Sequence, residues 1–162
     1  MSNKIDTNAN VKKVSSDDYD YDVITDLQAL IRQPSVSAKN QGLVECANLV
    51  AEIMRKAGIN AQLLYIDGSL HKNAEDDIDS SSSSSSLPPI VYGEVKSKSN
   101  PHAKTILFYN HYDVQPEDPV ELWEEDPFSG KVEGNCIFGR GSADDKGELI
   151  TRIKAVEYYL KK

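Results

Sequence analysis

The sequence is poor in the residues that mark several broad protein classes. Cysteine occurs twice in 162 residues, at Cys46 and Cys136, too few for the disulfide framework of a small secreted domain. Basic residues are the minority, with 18 Lys and Arg against 26 Asp and Glu and a net charge of −8. With no basic stripe, no nucleic-acid partner is expected. No apolar run approaches the roughly 18–20 residues of a membrane span, so no membrane partner is expected either. The opening MSNKIDTNANVKK lacks the apolar stretch of a secretory signal. These absences lead to the expectation of a soluble, acidic, cytoplasmic protein. What is present is an apolar fraction of 39%, enough for one core, since chains of this length bury roughly 70% of their unfolded surface.

Residues 1–18 are polar and weakly patterned and read as a disordered N-terminal tail. From about Asp18, the residues Val23, Ile24, Leu27, Leu30 and Ile31 fall at helical spacing, and Gln33-Pro34 ends the run. A second helix is expected over 42–57, with Leu43, Cys46, Ala47, Val50, Ile53 and Met54 on one face and Gly58 just past its end. A strand follows at 60–66. The stretch 68–88 holds an acidic cluster and seven serines, Ser80–Ser86, cannot bury anything, and is expected to be a disordered loop. Serines beside acids would suit an acid-directed kinase, although an expanded loop without a role is the simpler reading.

Further strands are expected at 90–95 and 105–110, the latter so continuously apolar that both faces should be covered. A hairpin is expected around Gly134, with Cys136 in the core, and a last helix from Lys146 carries Leu149, Ile150, Ile153, Val156 and Leu160 on one face. The order fits an α/β fold, a mostly parallel sheet sandwiched by helices, with residues 19–162 forming one unit.

Three segments could carry chemistry. His111-Tyr112-Asp113 follows the apolar strand 105–110 directly, at the strand end where α/β sheets bind ligands. In extended chain, an i, i+2 pair lies on one side. A metal-bound imidazole normally donates its second N–H to a carboxylate, which makes Asp113 the right type of partner. Taken alone, His-x-Asp fits a solvated pair better. The second segment, Gly139–Gly147, places two glycines before Asp144-Asp145, and in isolation such acids read as helix-capping residues. The third is the run from Asp113 to Asp126, whose acids read as solvated and whose Trp123 and Phe128 read as packed. His71 and His102 are not candidate ligands, and Cys46 reads as core.

Taken together, Phe108-Tyr109-Asn110-His111-Tyr112-Asp113-Val114-Gln115-Pro116, then Leu122-Trp123 and Asp126-Pro127-Phe128, then Gly139–Gly147 form an ordered series. It closely resembles the co-catalytic zinc peptidases that include acetylornithine deacetylase, succinyl-diaminopimelate desuccinylase, carboxypeptidase G and the carnosine dipeptidases. The resemblance covers about residues 19–162, and its wording after the His-x-Asp is nearest the dipeptidase branch. It implies a zinc-exopeptidase-like catalytic domain, incomplete at the C-terminus. Residue by residue, it implies that His111 binds one zinc, that Asp113 orients it as a catalytic residue, and that Asp144 bridges two metals with a cis bond to Asp145.

The implied cofactor is zinc, two ions per complete site, with cobalt or manganese able to use the same ligands. The implied substrate is a dipeptide or small N-acyl amino acid, and the implied full-length protein is a homodimer. The resemblance also places the general base and several ligands beyond Lys162. This chain alone is therefore expected to be inactive, with its apolar sheet face uncovered. The competing reading is a non-catalytic, truncated metal-binding or interaction module. A regulatory acidic protein acting through the serine run is the third.

Overall fold

A computed structural model describes residues 22–66, 70–71 and 87–162. The expected tail 1–18 and most of the expected loop 68–88 lie outside the described residues. Helix α1 runs Asp22–Arg32 and α2 Leu43–Lys56. Strands β1 (Asn60–Leu64), β2 (Leu70–His71) and β3 (Ile90–Glu94) follow, then the hairpin β4 (Lys131–Glu133) and β5 (Cys136–Phe138), and finally α3, Lys146–Leu160.

Both long-range apolar patterns are used as their spacing requires. Leu27, Leu30 and Ile31 of α1 meet Cys46, Val50 and Ile53 of α2 and Ile150 and Ile153 of α3 in one buried cluster. The next face of α2, Ala47 and Ala51, packs on Ala61 and Leu63 of β1 with Tyr112 alongside. Helix α2 is thus shared between a helical layer and a sheet. It ends in a Schellman motif: the Gly58 N–H donates to the Arg55 carbonyl and the Ile59 N–H to that of Met54, with Gly58 at φ +82, where a side chain would be strained.

The sheet order is β2-β1-β3, with both pairings antiparallel and Leu63 opposite Val91. Leu70 and His71, inside the expected loop, pair with Leu64 and Leu63. The expected order of two helices, then strands, a hairpin and a last helix holds apart from the missing strand at 105–110, while the expected parallel ladders differ: every strand pairing among the described residues is antiparallel. Among the described residues, the one parallel bridge is isolated, Val36 to Val114. Antiparallel neighbours pair through short connections, whereas a parallel neighbour must return after a crossover. Among the described residues, no strand returns after a crossover to pair with 105–110.

Segment 105–110 accordingly carries no ladder among the described residues, and its expected burial is corrected: Ile106 is 76% exposed, Leu107 86% and Tyr109 82%. Cys136 is also corrected from core to surface, because the two-stranded hairpin has its outer face in solvent. Cys46 is buried as expected.

Candidate functional site

The three sequence segments converge on one cleft of about 360 Å³, lined by His111, Asp113, Gln115, Arg140, Ser142 and Asp144 among others. Its geometry begins in the loop after α1. The buried Ser35 donates its hydroxyl to the Tyr112 carbonyl at 2.7 Å, and the Val114 N–H donates to the Ser35 carbonyl at 2.8 Å. Val36 bridges Val114 directly. Tyr112 turns the other way, its hydroxyl donating to the Pro89 carbonyl at 2.7 Å, and burial pushes its ionisation upward. With Tyr112 pinned on one side of the chain, His111 and Asp113 share the opposite side, as extended backbone dictates.

The second wall is the glycine loop. Gly141 has φ +85, and a Cβ there would press on Val114 Cγ1 and the stem of Lys146, so the loop can lie against the His111 segment only because that residue lacks a side chain. The Asp144–Asp145 peptide bond is cis. Asp145 stands at the start of α3 yet makes no side-chain cap. Instead its Oδ2 accepts from Asn110 Nδ2 at 2.7 Å and from the His111 N–H at 3.1 Å. The capping reading therefore fails for Asp145: its carboxylate latches the two walls together.

Across the gap, His111 Nε2 lies 3.0 Å from Asp144 Oδ1. His111 Nδ1 lies 3.0 Å from the Asp113 carbonyl oxygen and 3.3 Å from Asp113 Oδ1. A carbonyl only accepts, so Nδ1 carries the hydrogen and Nε2 faces Asp144. Partial desolvation pulls the imidazole pKa down, but the hydrogen bonds to the Asp113 carbonyl and to Asp144, with the charges of Asp113 and Asp145, outweigh it, and the net direction is up. The Asp144 side chain is 88% exposed, leaving its second oxygen open to the cleft.

The donor set fits a divalent metal in part. Nitrogen and oxygen ligands of a tetrahedral zinc are separated by roughly 3.4 Å, so donors 3.0 Å apart need only a small opening to chelate one ion. No group of three or more His, Cys, Asp or Glu able to hold a metal occurs among the described residues. His111 and Asp144 are therefore two donors where zinc takes three or four. Glu148 does not add to them, because its Oε2 pairs with Arg152 Nη2 at 2.6 Å.

The acidic run is more ordered than a solvated face. Trp123 donates its indole N–H to the Glu117 carbonyl at 2.8 Å and lies under the Arg140 guanidinium, 5.0 Å from the ring centre. Glu117 bonds Lys39 at 2.6 Å, and that hydrogen bond holds its carboxyl below the usual range. Sequence reasoning did not single out Ser35, Asn110, Arg140 or Lys146. Each acts through a contact made at long sequence range, which no local pattern encodes.

Residues 107–162 match the family described as Peptidase family M20/M25/M40. The chain is 38% identical over 138 residues to a Cys-Gly metallodipeptidase of Schizosaccharomyces pombe, covering 83% of this chain and 27% of that protein. It is 30% identical over 141 residues to a succinyl-diaminopimelate desuccinylase of Blochmanniella floridana, covering 87% and 31%. Among solved structures, an M20 family metallo-carboxypeptidase from Sulfolobus solfataricus superposes with a TM-score of 0.68 at 34% identity, over 86% of this chain and 27% of that one. Human carnosine dipeptidase 1 gives 0.64 at 25% identity, over 83% and 27%. The chain thus spans between a quarter and a third of the length of the relatives it matches. No helix among the described residues is long and apolar enough to cross a membrane.

Proposed function

We propose that the chain, which over residues 107–162 matches the Peptidase family M20/M25/M40 and resembles metallodipeptidases and a metallo-carboxypeptidase of that kind, forms part of a metal-dependent hydrolase. The substrate class is a dipeptide or small N-acyl amino acid, in keeping with the names of its relatives. The observation that carries the reading is the facing pair His111 Nε2 and Asp144 Oδ1, with Nδ1 held from behind by Asp113.

In this reading, His111 and Asp144 are metal ligands and Asp113 is the residue that fixes the imidazole. A bound zinc pair would polarise the scissile carbonyl and bring the pKa of a shared water toward 7. The chain's own residues prepare for that. Asp113 keeps the hydrogen on Nδ1, so that Nε2 offers its lone pair once its proton has left. Asp144, with one oxygen near His111 and one open, suits a carboxylate shared between two ions. The cleft's remaining donors and the base that accepts the water's proton belong, in this proposal, to sequence beyond Lys162, and with them the dimer contacts. A cytoplasmic location and zinc as the native metal complete the proposal.

The test compares this chain with a version extended through the downstream reading frame. Each is stripped with chelator, reloaded with zinc, and assayed for metal content and for hydrolysis of a small dipeptide panel. The extended protein should hold about two metals and cleave, and H111A should lose about one metal and the hydrolysis. Hydrolysis by the 162-residue chain alone would overturn the assignment of the base and remaining ligands to sequence outside it.

A further inference from the structure

Lys146 is the largest fully buried side chain of the described residues, and the site chemistry above does not use it. It stands in the first turn of α3, two residues after Asp144. Its Nζ donates to the Leu30 carbonyl at 2.7 Å and to the Gln33 carbonyl at 2.8 Å, both at the C-terminal end of α1. No carboxylate among the described residues pairs with it. A buried ammonium is costly to keep, and desolvation pulls its pKa down. What favours it is the pair of carbonyls and the negative end of the α1 dipole.

The two ends of this lysine reach the two walls of the cleft. Beyond Gln33, the same chain supplies Ser35 and Val36, which pin Tyr112 and Val114 on either side of Asp113. On the lysine's own side, its N–H donates to the Gly141 carbonyl at 3.1 Å. Its stem lies under Gly141, close enough that a Cβ there would sit 3.2 Å from Lys146 Cδ. Asp145, its neighbour, completes the circuit by accepting from Asn110 and the His111 N–H.

We propose that Lys146 is a positioning residue: by tying the first turn of α3 to the end of α1, it sets the spacing between His111 and Asp144. The role rests on the reading of those two as the chelating pair, but it can be tested without metal. Lys154 serves as the control, because it also joins α3 to α1, through Asp26 Oδ2 at 2.7 Å, and lies two turns from the cleft.

The experiment is native-state hydrogen exchange on the metal-free, 162-residue chain, comparing K146M and K154M. Methionine keeps the stem and removes the donors. K146M should lower the protection of the His111 and Val114 amides about tenfold while α2 amides keep theirs, whereas K154M should leave both site amides unchanged. A Zn²⁺ titration followed by the His111 imidazole resonances should then show about tenfold weaker binding for K146M and wild-type binding for K154M. Equal effects of the two variants, or unchanged site amides in a folded K146M, overturn the proposal. If K146M does not fold, S35A is measured instead. Because S35A removes only the hydroxyl bond to the Tyr112 carbonyl, K146Q, which is too short to reach both the Leu30 and Gln33 carbonyls, is measured beside it, and wild-type protection of the His111 and Val114 amides in K146Q also overturns the proposal. Absence of zinc binding by the wild-type chain, with the K146M exchange effect present, would refute the chelating reading and leave the clamp standing.

Discussion

Replacing Asp113 by Ala tests how the candidate ligand is held. Removing the partner behind a metal-bound imidazole typically weakens metal binding by roughly ten- to a hundred-fold. The geometry here argues for the bottom of that range. The shorter contact of His111 Nδ1 is to the Asp113 backbone carbonyl at 3.0 Å, and the carboxylate oxygen stands at 3.3 Å. Alanine keeps the carbonyl, so the tautomer and the ring orientation survive, and only the charge is lost. Both side chains are 41% exposed, which limits that charge to about 1 kcal/mol, or roughly fivefold in affinity. The assay is a Zn²⁺ titration of the 162-residue chain followed by the His111 imidazole resonances, at low and high ionic strength. D113A and D113N should behave alike, and their difference from wild type should shrink with salt. A hundred-fold loss in D113A would refute the reasoning, because it would make the carboxylate, not the carbonyl, the group that holds the ring. An H111A chain, which lacks those resonances, should show no zinc binding at this site by calorimetric titration.

Three other outcomes follow from the same structure. The His111 pKa lies above the ordinary imidazole value, so protonation stabilises the fold. That stabilisation is complete below the unfolded value of about 6.5 and is lost as pH rises through the raised folded value. The stability of wild type minus H111A, from urea melts in chelator, should therefore be larger at about pH 5.5 than at about pH 8.5, and a flat difference would contradict the sign. Zinc binding should show the reverse trend, weakening as pH falls, because the metal displaces the Nε2 proton. Ile150 is wholly buried between the three helices, and I150A should cost about 2–5 kcal/mol; a loss under about 1 kcal/mol would mean that α3 is not packed as described. Leu107, 86% exposed in an apolar run, should promote self-association, so sedimentation velocity should show concentration-dependent species that L107K reduces. A monomer at every concentration would remove that expectation.

The parts of the fold written in local periodicity were legible. The apolar faces of α1, α2 and α3 follow the 3.6-residue spacing except at Ile24 and Leu160, which are exposed; Gly58 ends α2 with a positive φ, and the hairpin turns at Gly134, also at positive φ. What failed was the environment of residues 105–110. Continuous apolarity states that a segment demands cover on both faces, but not which chain supplies it, and within these residues nothing does. Cys136 failed for a related reason: the expected core position assumed that both faces of the hairpin are packed. In the site, motif order singled out His111, Asp113 and Asp144, and the structure places all three on one cleft. Asp145 was misread because an acid before a helix usually caps it, and only the fold reveals that Asn110 and the His111 amide compete for its carboxylate.

That competition bears on how much of the cleft these residues can build alone. The contacts that bring His111 toward Asp144 come from α1, the loop after it, the glycine loop and the first turn of α3, all within the described chain. None of them runs through the exposed segment 105–110 except by its last residue, Asn110. The spacing of the pair therefore depends on the helical layer, whose core is complete, and the state of the uncovered segment should leave it unchanged. Self-association through Leu107 and the geometry of the His111–Asp144 pair are then independent properties. L107K should change the first while leaving the Zn²⁺ titration of His111 as in wild type, whereas K146M should change the second without altering sedimentation. If L107K instead shifts the zinc titration, the walls of the cleft are coupled through residues 105–110, and the helical core and the uncovered segment are not separate.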